Sequence, residues 1–161
     1  MALEVLRAPL GVGDSVPTFS LPSSSGKEIS LSDYKGKKIV LYFYPKDDTP
    51  GCTTEACEFR DNLKNYEAVN AVVIGVSKDP LKSHDKFIQK YGLPFELISD
   101  EEGKMLDAFG VWKEKSMYGK TFMGVERSTF LIDEKGKIAK AWRKVSVPNH
   151  VATVLEEAKS L

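Results

Sequence analysis

Both cysteines of the chain, Cys52 and Cys57, fall inside one short run, Tyr42-Phe43-Tyr44-Pro45-Lys46-Asp47-Asp48-Thr49-Pro50-Gly51-Cys52-Thr53-Thr54-Glu55-Ala56-Cys57. A thiol does chemistry as its thiolate, so the question is whether its surroundings favour the anion. Upstream, Ile39 to Tyr44 is an apolar run too short for a helix and reads as a strand. A turn rich in Pro, Asp and Gly follows, and a helix opens at Thr49-Pro50. Thr is a good N-cap, and Pro suits the first helical position because the N–H it lacks would have no helical partner there. Cys52 thus falls in the first turn of a helix, just beyond the end of a buried strand. Free amide N–H groups and the positive end of the helix dipole favour a thiolate at that point.

The helix that carries both thiols is predicted from Pro50 to about Val69. Ala56, Phe59, Leu63 and Tyr66 follow the i, i+3, i+7, i+10 spacing of a buried stripe, and Cys52 lies on it one turn before Ala56. Cys57 is rotated by roughly 140° from Cys52 and falls beside Asp61 and Lys64 on a polar flank. The two thiols therefore meet different environments.

Around this segment the chain alternates strands and helices. Thr18 to Leu21 and Lys27 to Leu31 read as an N-terminal β-hairpin across Ser23-Ser24-Ser25-Gly26, followed by a capped helical turn at Ser32 to Gly36. Lys37 to Tyr44 is the first fully apolar strand, and Ala71 to Ser77 is the second. Asp79-Pro80 introduces a helix with Leu81, Ile88 and Tyr91 inward, ended by Gly92. Phe95 to Ser99 reads as a strand and Gly103 to Phe109 as a short helix, while Gly110 to Gly124 is irregular. Arg127 to Asp133 and Lys137 to Arg143 form a hairpin, and a helix from Pro148 to Ser160 buries Val151, Val154, Leu155 and Ala158. The strand-helix-strand units require right-handed parallel crossovers and the late hairpin adds antiparallel strands. The expectation is an α/β fold with a mixed central sheet flanked by helices, forming a single domain over residues 1–161 with a flexible start at 1–12.

Composition narrows the function. Lys plus Arg and Asp plus Glu each total 23, for a formal net charge of zero. No basic excess draws the chain as a whole to nucleic acid or to an anionic membrane. No apolar run approaches the roughly 18 residues of a membrane span. The start, Met-Ala-Leu-Glu-Val-Leu-Arg, does not read as a signal peptide. Two cysteines are too few for a disulfide-stapled secreted scaffold. A cytoplasmic protein is expected, without nucleic-acid or membrane partners.

Pro45-x-x-x-Thr49-x-x-Cys52 resembles the active-site motif of the peroxiredoxins, thiol peroxidases of the thioredoxin-like fold. The longer run from Phe43 to Cys57 is similar to the peroxiredoxin Q subfamily, also called bacterioferritin comigratory proteins. Gly124-Val125-Glu126-Arg127-Ser128-Thr129-Phe130-Leu131-Ile132-Asp133 resembles the strand that carries that family's catalytic arginine. The resemblance covers about Gly13 to Leu161. It implies that Cys52 attacks the peroxide and becomes a sulfenic acid. It further implies that Arg127 supplies a permanent positive charge, that Thr49 hydrogen-bonds the sulfur and the incoming oxygen, and that Pro45 shields the thiolate. Cys57 then becomes the resolving thiol of an intrachain disulfide, which thioredoxin or a similar dithiol reduces. No metal, haem or nucleotide cofactor is implied, and the subfamily contains monomers and dimers, so a monomer or weak homodimer is expected.

Helical geometry gives that resolving role a consequence. Residues five apart on an intact helix have Cα atoms about 8.6 Å apart, whereas a disulfide spans at most roughly 7 Å. The helix must unwind locally between Thr49 and about Arg60 for the thiols to meet. Two other functions stay open on the sequence. A general dithiol-disulfide oxidoreductase would normally carry Cys-x-x-Cys, where thiols meet without unwinding. A redox-sensing or holdase protein would be oxidised stoichiometrically without turnover. The two histidines, His84 and His150, lie far from the cysteines in sequence and match no common zinc spacing; His84 reads as a packing residue at a helix boundary.

Overall fold

The structure, a computed structural model, describes residues 9–161. The expected flexible start at 1–12 falls mostly on residues 1–8, outside the described residues. Leu10 accepts a bond from Arg143 and donates its N–H to the Ala108 carbonyl at 3.0 Å.

Strand β3, Lys38–Phe43, is the centre of the architecture and is buried along its whole length. Successive side chains of a strand point to opposite faces. Val40 and Tyr42, with Tyr44 just beyond the strand, enter one core with Cys52, Ala56, Phe59 and Tyr66. Ile39, Leu41 and Phe43 enter the other, with Met105, Phe109 and Phe130. A strand with both faces covered cannot alternate polar and apolar residues, which is why it reads as a continuous apolar run.

Five strands form the main sheet, in the order β5-β4-β3-β8-β9. Strands β4 (Ala71–Ser77) and β5 (Glu96–Ser99) run parallel to β3, while β8 (Ser128–Ile132) and β9 (Ile138–Trp142) are antiparallel. The expected N-terminal hairpin forms from β1 (Ser20–Pro22) and β2 (Glu28–Ser30). It covers the outer edge of β5, where the Ser24 N–H donates to the Leu97 carbonyl and the Leu97 N–H to Ser24 Oγ. An edge closed in this way offers no free ladder for a second chain. The following 3-10 turn, Leu31–Tyr34, has a full capping box between Ser30 and Asp33.

Helices α1 (Pro50–Asp61) and α2 (Leu63–Ala68) replace the single helix expected to Val69. The break is at Asn62, whose φ of −105° and ψ of 7° leave the helical region. Its amide Nδ2 donates to the Glu58 carbonyl at 2.9 Å, the local competition that makes Asn a poor interior helix residue. Helix α3 (Leu81–Tyr91) ends at Gly92, which adopts the left-handed φ of 60° of a C-cap. Its inward residues are His84 and Phe87, with Ile88 and Tyr91 packed beside them. The expected inward Leu81 is half-exposed because it sits at the helix start, ahead of the core. Helix α4 is Lys104–Ala108, and α5, His150–Lys159, buries Val151, Val154, Leu155 and Ala158 as its spacing predicts.

The region from Gly110 to Gly124 is not irregular. It is a second hairpin, β6 (Trp112–Met117) and β7 (Lys120–Val125), turned at Tyr118-Gly119, where both φ values are positive. That turn suits a two-residue hairpin loop. Its strands are largely exposed on both faces, so no period-2 burial pattern was available to reveal them.

Candidate active site

The end of β3 and the start of β8 build the site together. Phe43 pairs with Ser128, so the chain leaves β3 toward Cys52 directly beside the point where Arg127 enters β8. Arg127 thus precedes the strand expected to contain it, in a two-residue connection between β7 and β8, with its carbonyl accepting from the Val145 N–H at 2.8 Å. Its guanidinium reaches across to α1. Nη2 donates to Cys52 Sγ at 3.3 Å, and Nη1 donates to Glu55 Oε1 at 2.7 Å. Cys52 is 1% exposed, in the first turn of α1. The sulfur therefore sits between a helix N-terminus and a fixed cation, both of which favour a thiolate.

Two residues that sequence reasoning passed over complete this arrangement. Glu55 is fully buried on the same stripe as Cys52, Ala56 and Phe59. Its Oε2 has no hydrogen-bond partner, and burial, opposed by Arg127, pushes its carboxyl up to about 7. The signal was available: an acidic residue three positions after Cys52 on an otherwise apolar stripe. Gly51 is the second. A Cβ there would stand 3.1 Å from Arg127 Nη2, so the absent side chain makes room for the guanidinium. No pattern in the sequence announces a long-range approach of this kind.

Thr49 holds the N-cap position with an extended backbone, but its hydroxyl makes no capping bond. It donates instead to the Lys46 carbonyl at 2.9 Å, stiffening the turn before α1. Pro45 is half-buried and lines a groove of about 560 Å³ with Arg127, Lys115, Met117, Phe122 and Val145. Cys57 is half-buried, and both thiols are free. The structure thus brings Cys52, Arg127 and Glu55 into contact and sets Pro45 at the mouth, while Cys57 stands five positions along an intact helix.

His84 packs at the start of α3 as expected, and it also anchors a hydrogen-bond network that the packing role did not foresee. It is fully buried, and its Nε2 faces the Ile98 carbonyl at 3.0 Å. A carbonyl only accepts, so Nε2 must donate, and one proton lies between Nδ1 and Asp47 Oδ2 at 2.7 Å. Tyr44 and Ser83 hydroxyls also donate to Asp47, and the Asp47 N–H donates to Asp79. Asp47, Asp79 and His84 hold ligand atoms within 4.8 Å of one another, the arrangement a metal would need. Their atoms are engaged in hydrogen bonds that strap the turn before α1 to α3. His150 is also buried, bonded to Thr129 Oγ1 at 2.8 Å. Desolvation, reinforced by Arg127, lowers it to about 4 and keeps it neutral.

Among the described residues no helix is long and apolar enough to cross a membrane. The profile of the AhpC/TSA family matches residues 12–141. Peroxiredoxin Bcp of Bacillus subtilis is 53% identical over 150 residues, 93% of this chain and 96% of its own. The solved structure of a Xylella fastidiosa PrxQ mutant superposes with a TM-score of 0.91 at 44% identity, covering 96% of this chain and 98% of that one. A Xanthomonas campestris bacterioferritin comigratory protein, solved to explain its alkyl peroxide reduction, gives 0.84 at 45% identity over 88% and 90% of the two chains. With a buried cysteine at a helix start, an arginine on its sulfur and a thioredoxin-like sheet beneath, the chain belongs to the AhpC/TSA family, as a thiol-dependent peroxidase of the peroxiredoxin Q, or bacterioferritin comigratory protein, branch.

Proposed function

We propose that Cys52 is the peroxidatic nucleophile, that Arg127, Thr49 and Pro45 serve it, and that Cys57 resolves the product. The observation that carries this reading is the 3.3 Å contact from Arg127 Nη2 to the sulfur of a buried cysteine in the first turn of α1. The thiolate attacks the terminal oxygen of a hydroperoxide. An S–O bond forms, the O–O bond breaks, and the alkoxide or hydroxide leaves and takes up a proton. Arg127 stabilises the negative charge as it moves from sulfur to the leaving oxygen. Thr49 has its own proton committed to Lys46, so its oxygen is available to accept the peroxide O–H. Pro45 presents no N–H at the groove mouth and keeps water from the sulfur.

The sulfenic acid then condenses with Cys57, after α1 unwinds, to give a Cys52–Cys57 disulfide. A dithiol such as thioredoxin returns both thiols. The substrates are hydrogen peroxide and small alkyl hydroperoxides, and the single-domain chain works as a monomer or weak homodimer. A reducing compartment, the cytoplasm, suits an enzyme whose working state is the thiol.

NADPH-coupled peroxide turnover with thioredoxin and thioredoxin reductase tests the reading. Cys52→Ser is expected to have no activity. Cys57→Ser is expected to undergo one fast oxidation of Cys52 and then to lose thioredoxin-driven cycling. Full turnover by Cys52→Ser would overturn the assignment, and stoichiometric oxidation of the wild type without turnover would point to a sensor.

A further inference from the structure

The stretch that has to unwind lies between two contacts made by one residue of α3. Before Cys52, Asp48 accepts from the Tyr91 hydroxyl at Oδ1 and from Lys90 Nζ at Oδ2, both at 2.8 Å. After Cys57, Arg60 Nη1 donates to the Tyr91 carbonyl at 2.7 Å. Tyr91 therefore reaches the near end of the segment with its side chain and the far end with its backbone. Its ring is half-buried and meets Phe87 edge-on, at 5.5 Å and 80°, against the core that also holds Cys52. Asp48 is not at rest. Its φ of 56° lies in the left-handed region that residues other than glycine seldom occupy, so the two bonds to α3 help hold a turn that would otherwise relax.

We propose that Tyr91 is a positioning residue for the resolving step, the fixed point of a clamp that keeps α1 wound while peroxide reacts and must release before Cys57 reaches Cys52. The proposal rests on Cys57 being the resolving thiol. In that step the Cys57 sulfur attacks the Cys52 sulfur. The S–S bond forms, the S–O bond breaks, and the hydroxyl leaves as water with the proton of the Cys57 thiol. No outside oxidant or reductant enters. While the clamp is closed the sulfenic acid stays in the peroxide pocket, where a second peroxide molecule can carry it to the sulfinic acid. The strength of the clamp thus divides Cys52 between the disulfide and overoxidation.

Tyr91→Phe keeps the ring and removes only the hydroxyl that Asp48 accepts. Asp48→Gly removes that contact from the other side, together with the exposed Lys90 pair, and fits the left-handed backbone. Stopped-flow fluorescence separates peroxide oxidation of Cys52 from disulfide formation, and mass spectrometry under excess peroxide gives the sulfinic fraction. Losing a hydrogen bond of this kind should speed disulfide formation about three- to tenfold in either variant. The rate of the first oxidation should be unchanged, which also reports that the reduced site is folded. The sulfinic fraction should fall correspondingly, and Tyr91→Phe should add nothing in the Asp48→Gly background. Disulfide formation at the wild-type rate in both variants would overturn the clamp while leaving the resolving role of Cys57 intact. Absence of a Cys52–Cys57 disulfide in oxidised wild type would overturn that role, and the clamp with it.

Discussion

Arg127 divides one guanidinium between two partners, the Cys52 sulfur and the Glu55 carboxyl, and the division depends on planar geometry. Nη2 serves the Cys52 sulfur while Nη1 is held by Glu55, which fixes the direction of approach. A lysine at this position could not reach both partners from rigidly spaced donors. Gly51 is what lets the guanidinium close on the sulfur, since an added methyl group would lie 3.1 Å from Nη2. Gly51→Ala should push the guanidinium back by a few tenths of an ångström. Misplacement of about 1 Å costs on the order of 100-fold in rate, so a loss of about three- to tenfold in the peroxide reaction is expected. Alanine is also the better helix former, by about 1 kcal/mol in a helix interior. The variant should therefore melt no lower than wild type while reacting more slowly, and competitive peroxide kinetics beside a thermal melt will show whether it does. A variant as fast as wild type would mean that the guanidinium tolerates the methyl group and that Gly51 has no part in the site.

At the scale of elements, the site depends on a turn being held against a helix from two directions. The Asp47 carboxylate gathers Tyr44, Ser83 and His84, and so ties the five residues before α1 to the start of α3. His84→Ala leaves that buried carboxylate short of a partner. Breaking a buried pair from one side typically costs about 3–5 kcal/mol, and the two remaining hydroxyl donors argue for the lower end. Urea denaturation should register a fall of about 3 kcal/mol in unfolding free energy; a change below about 0.5 kcal/mol, ordinary for a surface substitution, would show that the strap is idle. This network also marks a limit of sequence reading. The strand, turn and helix start around Cys52 were legible because apolar runs, Pro and Thr act locally. The exposed β6–β7 hairpin was not, because strands with neither face buried carry no periodic signal. The break at Asn62 was missed because one amide-to-carbonyl bond outweighed a continuing apolar stripe. His84 and Asp47 are 37 positions apart, so only the folded sheet could reveal that they meet. Glu55 was the exception, a charge on an apolar stripe that the pattern already contained.

Across the whole molecule, two buried ionisable groups that both feel the charge of Arg127 pull the pH dependence of stability in opposite directions. Burial raises Glu55 from 4.5 to about 7, so the folded state holds its proton more tightly than the unfolded chain does. Its contribution is fully present below about pH 4.5 and is lost as pH rises through about 7. Burial lowers His150 from 6.5 to about 4, so the folded state binds that proton less tightly. Its contribution is present above about pH 6.5 and is lost as pH falls through about 4. Each difference is equivalent to about 3 kcal/mol, and over the shared window, from about pH 4.5 to 6.5, the two slopes have opposite sign. The wild type should therefore show nearly level stability there. Glu55→Gln should unmask the histidine, with unfolding free energy rising by about 1.4 kcal/mol per pH unit. His150→Gln, which can still hydrogen-bond Thr129, should unmask the carboxyl and give a slope of similar size falling with pH. Denaturant titrations at half-unit steps from pH 4.5 to 6.5 measure all three slopes. A level profile in either variant would mean that the group left in place is not perturbed by burial, and the balance around Arg127 would have to be assigned differently.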